Sequence, residues 1–315
     1  MRSLIIGAAG FVGPYLASAV KTELGSDVVA TKLEREQLEL PDAQIRDLNI
    51  MDEEQIFELL DEVRPEYIFH LAAQSSVAYS WKDPSLTVDV NIKGALNLMN
   101  ALRRLDHAPR VLIVGSGEEY GHIGPDDVPV KETQLLRPGN VYAATKAAQN
   151  MLAAIYAEAY GLELIMTRSF NHMGPRQTQT FVVGDFTAQA VRIELGLQEP
   201  VIRVGNLSAK RDFTDVRDVV KAYAALARSG AAGETYNVGT GHALEIREIL
   251  DTIIRLSGQE IAVETDPAKL RPVDVPIIEP DTEKIRSATG WRPQIPLEQT
   301  ITDMLAWWRA HKELL

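Results

Sequence analysis

Tyr142 and Lys146 stand four residues apart, with Ser116 upstream of both. Four residues is about one helical turn, so the phenol and the ammonium share a helix face. A neighbouring ammonium favours phenolate and eases the movement of a proton on or off the phenol. Free tyrosine titrates at about pH 10, so it needs that help to work near neutrality. A serine hydroxyl beside it can hydrogen-bond the same oxygen of a carbonyl or an alcohol. The three together form a proton-transfer site suited to hydride chemistry at a sugar or alcohol carbon. Glu118 lies two residues beyond Ser116. If Ser116 points into a cleft, Glu118 can do so as well. Its carboxylate is either a proton acceptor at a sugar carbon or a strand-end group held by backbone N–H donors.

A hydride site needs a dinucleotide, and the N-terminus supplies a loop for one: Gly7-Ala-Ala-Gly10-Phe11-Val12-Gly13. It sits between the first strand-like run and the first helix-like run. Such a loop gives a tight turn, close backbone approach and a helix N-terminus facing a pyrophosphate. NAD enzymes place an acid at the end of the second strand, on the ribose hydroxyls. Here Lys32 takes that place, with Arg35 just beyond. A cation there suits a 2′-phosphate, so the expected cofactor is NADPH. Asn49 and Ile50 fall where an adenine-contacting loop belongs; an ordinary polar turn is the other reading. Leu71-Ala72-Ala73 closes the third strand beside the cofactor, and Gln74 and Ser75 follow, facing cofactor or substrate. Asn91 opens a helical segment, where an N-cap is the simple reading.

Arg176, Arg203, Arg211 and Arg271 are candidates for a substrate diphosphate. The last two sit in dense motifs, Arg211-Asp-Phe-Thr-Asp-Val-Arg-Asp218 and Leu270-Arg-Pro-Val-Asp274. Asp212, Asp215 and Asp218 fit capping and salt bridging better than a metal. No histidine or carboxylate spacing matches a metal signature, so no metal is expected.

Composition limits the function classes. A chain of 315 residues has room for one large or two closely packed domains. There is no cysteine, which excludes disulfides and thiolate metal sites and fits a reducing compartment. A net charge of −12 argues against a general nucleic-acid surface. No secretory run precedes the first strand and no apolar stretch is long enough to span a membrane, so a cytoplasmic protein is expected.

The elements must bring these residues together. Apolar runs and helical periodicity predict strands at 3–6, 27–30, 67–71, 110–115 and 163–169. They predict helices at 12–23, 53–63, 91–105 and 142–160. Alternating strands and helices imply an α/β fold with a doubly wound parallel sheet and a smaller C-terminal substrate-binding lobe. Residues 1–170 are expected to form the dinucleotide-binding domain, with a returning segment near 213–240 that includes a strand at 234–239. Residues 171–212 and 241–315 are expected to form the substrate lobe. Ligands on such sheets bind at the carboxyl ends of the strands. The glycine loop, Ala72-Ala73, Ser116 and Asn171 all follow strand ends and should converge there.

These residues carry a resemblance. The Gly7 loop, Leu71-Ala-Ala-Gln-Ser75, Ser116-Gly-Glu-Glu-Tyr-Gly121, Tyr142-Ala-Ala-Thr-Lys146 and Asn171 resemble the extended short-chain dehydrogenases/reductases of the nucleotide-sugar branch. The match covers nearly the whole chain. Arg168-Ser-Phe-Asn-His-Met-Gly-Pro-Arg176 and the segment from Val204 to Asp218 are similar to the GDP-mannose-processing members, above all the reductases of GDP-4-keto-6-deoxy-D-mannose. The resemblance implies that Tyr142 is the proton donor, that Lys146 supports it and binds the nicotinamide ribose, and that Ser116 orients the C4 oxygen. Asn171, Arg211 and Arg271, with Asp274 in the same motif, would hold a GDP-sugar. It also implies a homodimer through a four-helix interface built from the helices near Asn91 and Tyr142. One feature points elsewhere. Related 4,6-dehydratases carry Thr-x-Glu at the position of Ser116-x-Glu118, where the Glu removes the C5 proton. A dehydratase is therefore the second reading and a 4-epimerase the third. A non-catalytic sensor of NADP or nucleotide sugar is the alternative outside enzymes.

Overall fold

Leu4, Ile5 and Ile6 are consecutive apolar residues, and all three are buried. A strand apolar on both faces belongs in the middle of a parallel sheet covered on both sides. The structure places it there. The chain is described by a computed structural model over residues 1–269 and 275–315. The strands are β1 (Arg2–Ile6), β2 (Asp27–Lys32), β3 (Ala43–Asp47), β4 (Tyr67–His70), β5 (Arg110–Ser116), β6 (Leu164–Ser169), β7 (Asn171–Met173), β8 (Val201–Val204), β9 (Lys210–Asp215), β10 (Thr235–Val238), β11 (Ala243–Glu245), β12 (Ala262–Thr265) and β13 (Ile277–Ile278). The helices are α1 (Gly13–Leu24), α2 (Glu53–Val63), α3 (Val77–Lys82), α4 (Pro84–Val88), α5 (Gly94–Leu102), α6 (Val141–Tyr160), α7 (Val182–Glu194), α8 (Val216–Ser229), α9 (Ile246–Ser257), α10 (Glu283–Thr289) and α11 (Leu297–Ala310).

Seven strands form one parallel sheet in the order β10-β6-β5-β4-β1-β2-β3. Alternate residues of β1 face opposite cores: Ile5 packs with α1 and α8, while Leu4 and Ile6 pack with α2, α5 and α6. The fold is thus a doubly wound, Rossmann-like α/β structure. The strand order reverses between β1 and β4, which opens a crevice at their carboxyl ends. A separate core joins α7, α9 and α11 with β8 and β9. Beside it lies a small sheet in which β9 pairs with β7, β11 and β13. Among the described residues no helix is long and apolar enough to cross a membrane.

Three short elements escape the sequence pattern, and one local expectation needs correction. Strand β3 escapes the sequence pattern because it is a half-exposed edge strand, paired only to β2. Helices α3 and α4 are short and polar-flanked, and each is started by a side-chain cap, Ser76 and Asp83 respectively. Asn91 is not an N-cap. It lies inside a π-helical turn, Asp89–Lys93, that joins α4 to α5, and it is fully buried. Its amide binds the backbone N and O of Gln74 and the Thr145 hydroxyl.

The start of α1 depends on a missing side chain. A Cβ on Gly13 would lie 1.9 Å from the Ala8 carbonyl oxygen. Gly13→Ala is expected to lower stability by about 1–3 kcal/mol, as overpacking does. Urea unfolding measures it, and an unchanged midpoint would show that the first turn of α1 can shift freely.

Candidate active site

The glycine loop follows β1 and meets the loop after β4. Gly7 has φ +83°, and a Cβ there would sit 2.6 Å from Ala72 Cα. Both Leu71 N and Ala72 N donate to Ile6 O at 2.9 Å, which locks the two strand ends together. Gly13 packs on Ala8, as described above. Around Gly10 a Cβ would meet only the Gly7 carbonyl, at 3.9 Å, so this glycine opens onto free space. That is the arrangement a pyrophosphate requires: two glycines used for packing and one leaving the backbone accessible ahead of a helix N-terminus. The residues present therefore fit a dinucleotide. Phe11 stacks on His172, with ring planes 4° apart and centroids 6.2 Å apart, so the loop also touches β7.

At the end of β2, Lys32 pairs in register with Asp47 of β3. Its Nζ lies 2.6 Å from Asp47 Oδ1. The expected cation is present, and it already has a carboxylate partner that the sequence reading missed along with β3. Arg35 is exposed just beyond it. Asn49 closes its own turn, accepting from Met51 N at 3.1 Å. The Ile50 side chain is buried, directly beside Gly94.

Ser116 ends β5, and Tyr142 and Lys146 lie in the first turns of α6, which Asn140 caps by accepting from Ala143 N at 2.8 Å. The Tyr142 phenol lies beside Ser116, whose hydroxyl favours its ionised form. The Tyr142 backbone N donates to Ser80 Oγ at 3.3 Å, so α3 helps to seat it. Burial pushes the phenol above its ordinary pKa; the Ser116 hydroxyl opposes this, and the charges of Glu118 and Glu119 add to it. Lys146 is buried and donates to Val114 O at 2.7 Å and Gln149 Oε1 at 3.1 Å. Burial pushes it down to about 8, against the pull of Glu119. Burial, and not Lys146, sets the direction of the phenol's shift. Lys146 turns toward the β5 carbonyl, and Tyr142 rests protonated. Glu118 Oε2 accepts from Asn140 Nδ2 at 3.2 Å. The cap itself could have been anticipated from an Asn directly before a helix, whereas its bond to Glu118, 22 residues away, leaves no local signal.

On the substrate side, Ser116, Glu118, Asn171 and Arg211 line one cavity with Phe170 and Ile278. Arg211 also donates to Lys210 O at 2.8 Å. Other candidates lie elsewhere. Gln74 is drawn into its own loop, donating to Ser76 O and to Thr87 Oγ1, while Ser75 beside it is exposed. Arg203 sits on β8, exposed, 3.8 Å from Glu264. Arg176 is exposed with φ 74°, next to Pro175, whose carbonyl accepts from Tyr15 Oη at 2.6 Å. Arg271 and Asp274 lie outside the described residues. The three aspartates are structural. Asp212 accepts from Thr240, Gly241 and His242 backbone N–H groups. Asp215 caps α8 and pairs with Arg217 at 2.7 Å. Asp218 accepts from Gln294 N and Ile295 N, both at 2.7 Å.

Comparison with known proteins gives the family and the fold. A family model described as GDP-mannose 4,6 dehydratase matches residues 4–304. The chain is 30% identical over 309 residues to GDP-6-deoxy-D-mannose reductase of Pseudomonas aeruginosa, covering 98% of this chain and 97% of that protein. It is 33% identical to GDP-mannose 4,6 dehydratase 1 of Arabidopsis thaliana, over 78% of this chain and 68% of that one. The solved structure of RMD from Pseudomonas aeruginosa in complex with NADPH superposes with a TM-score of 0.85. It has 28% identity and covers 98% of this chain and 99% of that one.

The Lys32–Asp47 pair generates a prediction about cofactor choice. A charge-assisted contact to phosphate contributes about 1.5–3 kcal/mol, or roughly tenfold or more in affinity. Lys32→Ala is expected to lower the preference for NADPH over NADH by about that factor. Asp47→Asn, which frees Lys32, is expected to raise it. Dissociation constants from nicotinamide fluorescence test both. An unchanged ratio in Lys32→Ala would assign the 2′-phosphate to other residues, such as Arg35.

Proposed function

The chain belongs to the GDP-mannose 4,6 dehydratase family, and from that premise we propose that it is a reductase that uses NADPH to convert GDP-4-keto-6-deoxy-D-mannose to GDP-D-rhamnose. The observation that carries this reading is Tyr142 buried beside Ser116 at the sheet's carboxyl edge, with Lys146 one turn further along α6. The full-length likeness to a GDP-6-deoxy-D-mannose reductase supports it.

Backbone N–H groups from Gly10 to Gly13 would hold the cofactor pyrophosphate, and Lys32 with Arg35 the 2′-phosphate. NADPH supplies the hydride when bound. Ser116 and Tyr142 converge on the C4 oxygen and orient it. As that oxygen gains negative charge, Tyr142 donates its proton to it. A phenol kept above its ordinary pKa stays protonated until a stronger base, the developing alkoxide, faces it. Lys146 adds positive charge from the next turn. Asn171 and Arg211, in the same cavity, would contact the GDP-sugar. A homodimer through α5 and α6 in the cytoplasm belongs to this proposal; the exposed Met151 and Ile155, one turn apart on α6, support the interface.

A second reading has its own observation. Glu118 lines the same cavity as Ser116. As a C5 base it would make the chain a 4,6-dehydratase.

Two predictions follow from the roles. Tyr142→Phe is expected to lose about 10²–10⁴ in kcat while keeping nucleotide affinity. A variant with near wild-type kcat would remove Tyr142 from the mechanism. Glu118→Gln is expected to leave C4 reduction substantially intact, followed as loss of reduced-nicotinamide absorbance. GDP-mannose supplied with catalytic NADP⁺ and no reductant separates the two readings. Accumulation of a 4-keto-6-deoxy sugar that disappears in Glu118→Gln would overturn the reductase as the sole activity.

A further inference from the structure

Glu119 takes no proton in the chemistry above, yet its side chain touches the Ser116 turn, α6 and β6. Its side chain is fully buried. Oε1 accepts from Ser116 N at 2.8 Å and from Asn150 Nδ2 at 2.9 Å. Oε2 accepts from Asn150 Nδ2 at 3.1 Å and from Arg168 Nε at 3.0 Å. Ser116 is the substrate-orienting hydroxyl, and Asn150 lies one turn beyond Lys146 on α6. The fit is tight, since a Cβ on Gly115 would lie 2.4 Å from Glu119 Oε1.

The charge state follows from the partners. Burial pushes the Glu119 carboxyl above its ordinary range, and Arg168, Ser116 N and Asn150 oppose this. All of these contacts are N–H donors. A protonated carboxyl would aim its own O–H at a donor, so the ionised form fits the site.

Resting on the assignment of Tyr142 and Lys146 as the proton-transfer pair, we propose that Glu119 is a positioning residue. Its buried carboxylate ties the Ser116 turn to α6 and β6 and sets a fixed negative charge against α6, at Asn150, one turn from Lys146. Among the described residues, one charged side chain acts on Lys146, Glu119 from the turn, while Lys146 itself acts on His70 of β4. His70 is fully buried with neither ring nitrogen bonded, and burial, followed by the charge of Lys146, pushes it down to about 3, so it is neutral. Tyr142 on the same helix is protonated. Glu118 and Arg168 act on the neighbouring Tyr142 and Glu119. The negative charge that opposes desolvation of Lys146 is therefore that of Glu119.

The test separates reach from charge. Glu119→Gln is expected to lower kcat roughly 10- to 100-fold by loosening the Ser116 turn. It also moves the alkaline limb of kcat/KM, set by Lys146, down by about one pH unit. Glu119→Asp retains the charge and shortens the reach, so kcat falls and the limb stays. A structural role alone leaves the limb in place in both variants, and that result overturns the proposal. A second arm needs neither substrate nor cofactor. Lys146 is at about 8 in the fold against 10.5 ordinarily. Between those values the unfolded chain binds more protons, so unfolding free energy rises with pH. That rise is expected to begin at lower pH in Glu119→Gln and to be missing in Lys146→Met. A stability arm that behaves this way in a protein without reductase activity sinks the functional reading and spares this one. If Glu119→Gln is not recovered folded, Asn150→Ala cuts the tie to α6. A wild-type kcat there overturns the proposal.

Discussion

The approach of Gly7 to Ala72 is the contact on which the rest of the site depends. Two parallel strands can end side by side and diverge into opposite faces only where the sheet changes winding direction. In this chain β1 and β4 do so, and two backbone bonds from Leu71 and Ala72 to the Ile6 carbonyl hold their ends together. No side chain fits at Gly7, so the loop lies flat against its neighbour. That leaves Gly10 facing open space at the head of α1. The same crevice receives Ser116 from β5, one strand further along the sheet. Cofactor cradle and proton-transfer group are thus fixed to one rigid edge.

Burial then sets the chemistry on that edge. A tyrosine exposed to water would hold its proton about as tightly as free tyrosine. Tyr142 is covered by its surroundings and sits near two carboxylates, so it holds its proton more tightly. Lys146, equally covered, holds its proton less tightly than free lysine. From nearly equal ordinary values the two groups move apart in proton affinity, the phenol up and the ammonium down. The phenol therefore stays the proton-bearing group of the pair, as a site that delivers a proton to an alkoxide requires.

The parallel sheet, its topology and the glycine loop were legible because each has a short-range signature: consecutive apolar residues, strand–helix alternation and glycine spacing. Tyr142, Lys146 and Ser116 were legible for the same reason. What escaped depends on long-range pairing. Strand β3 carries no strong alternation, so the Asp47 partner of Lys32 was invisible. Asn91 reads as a helix start, because nothing local reveals that Gln74 and Thr145 will enclose its amide. Gln74 looks like a cleft residue, but its amide is drawn back to Ser76 and Thr87. The Val114 carbonyl that Lys146 meets lies 32 positions away in the chain, so no local pattern reveals that contact.

The two adjacent carboxylates, Glu118 and Glu119, bear on how the site is to be understood. A carboxylate beside a substrate carbon suggests a base, and Glu118 has the position for it. The same charge has a second effect that requires no proton transfer of its own. It raises the proton affinity of Tyr142, as Glu119 does from beneath. In a reaction that must protonate an alkoxide, that effect is useful in itself, because an acid that ionises early is not available when the hydride arrives. Retention of Glu118 is therefore compatible with reduction and does not by itself identify a dehydratase. The distinguishing question is where the carboxylate points when a sugar is bound. In this structure Asn140 holds it from the cap of α6, so moving it onto a substrate carbon would require breaking a bond to the residue that starts the catalytic helix.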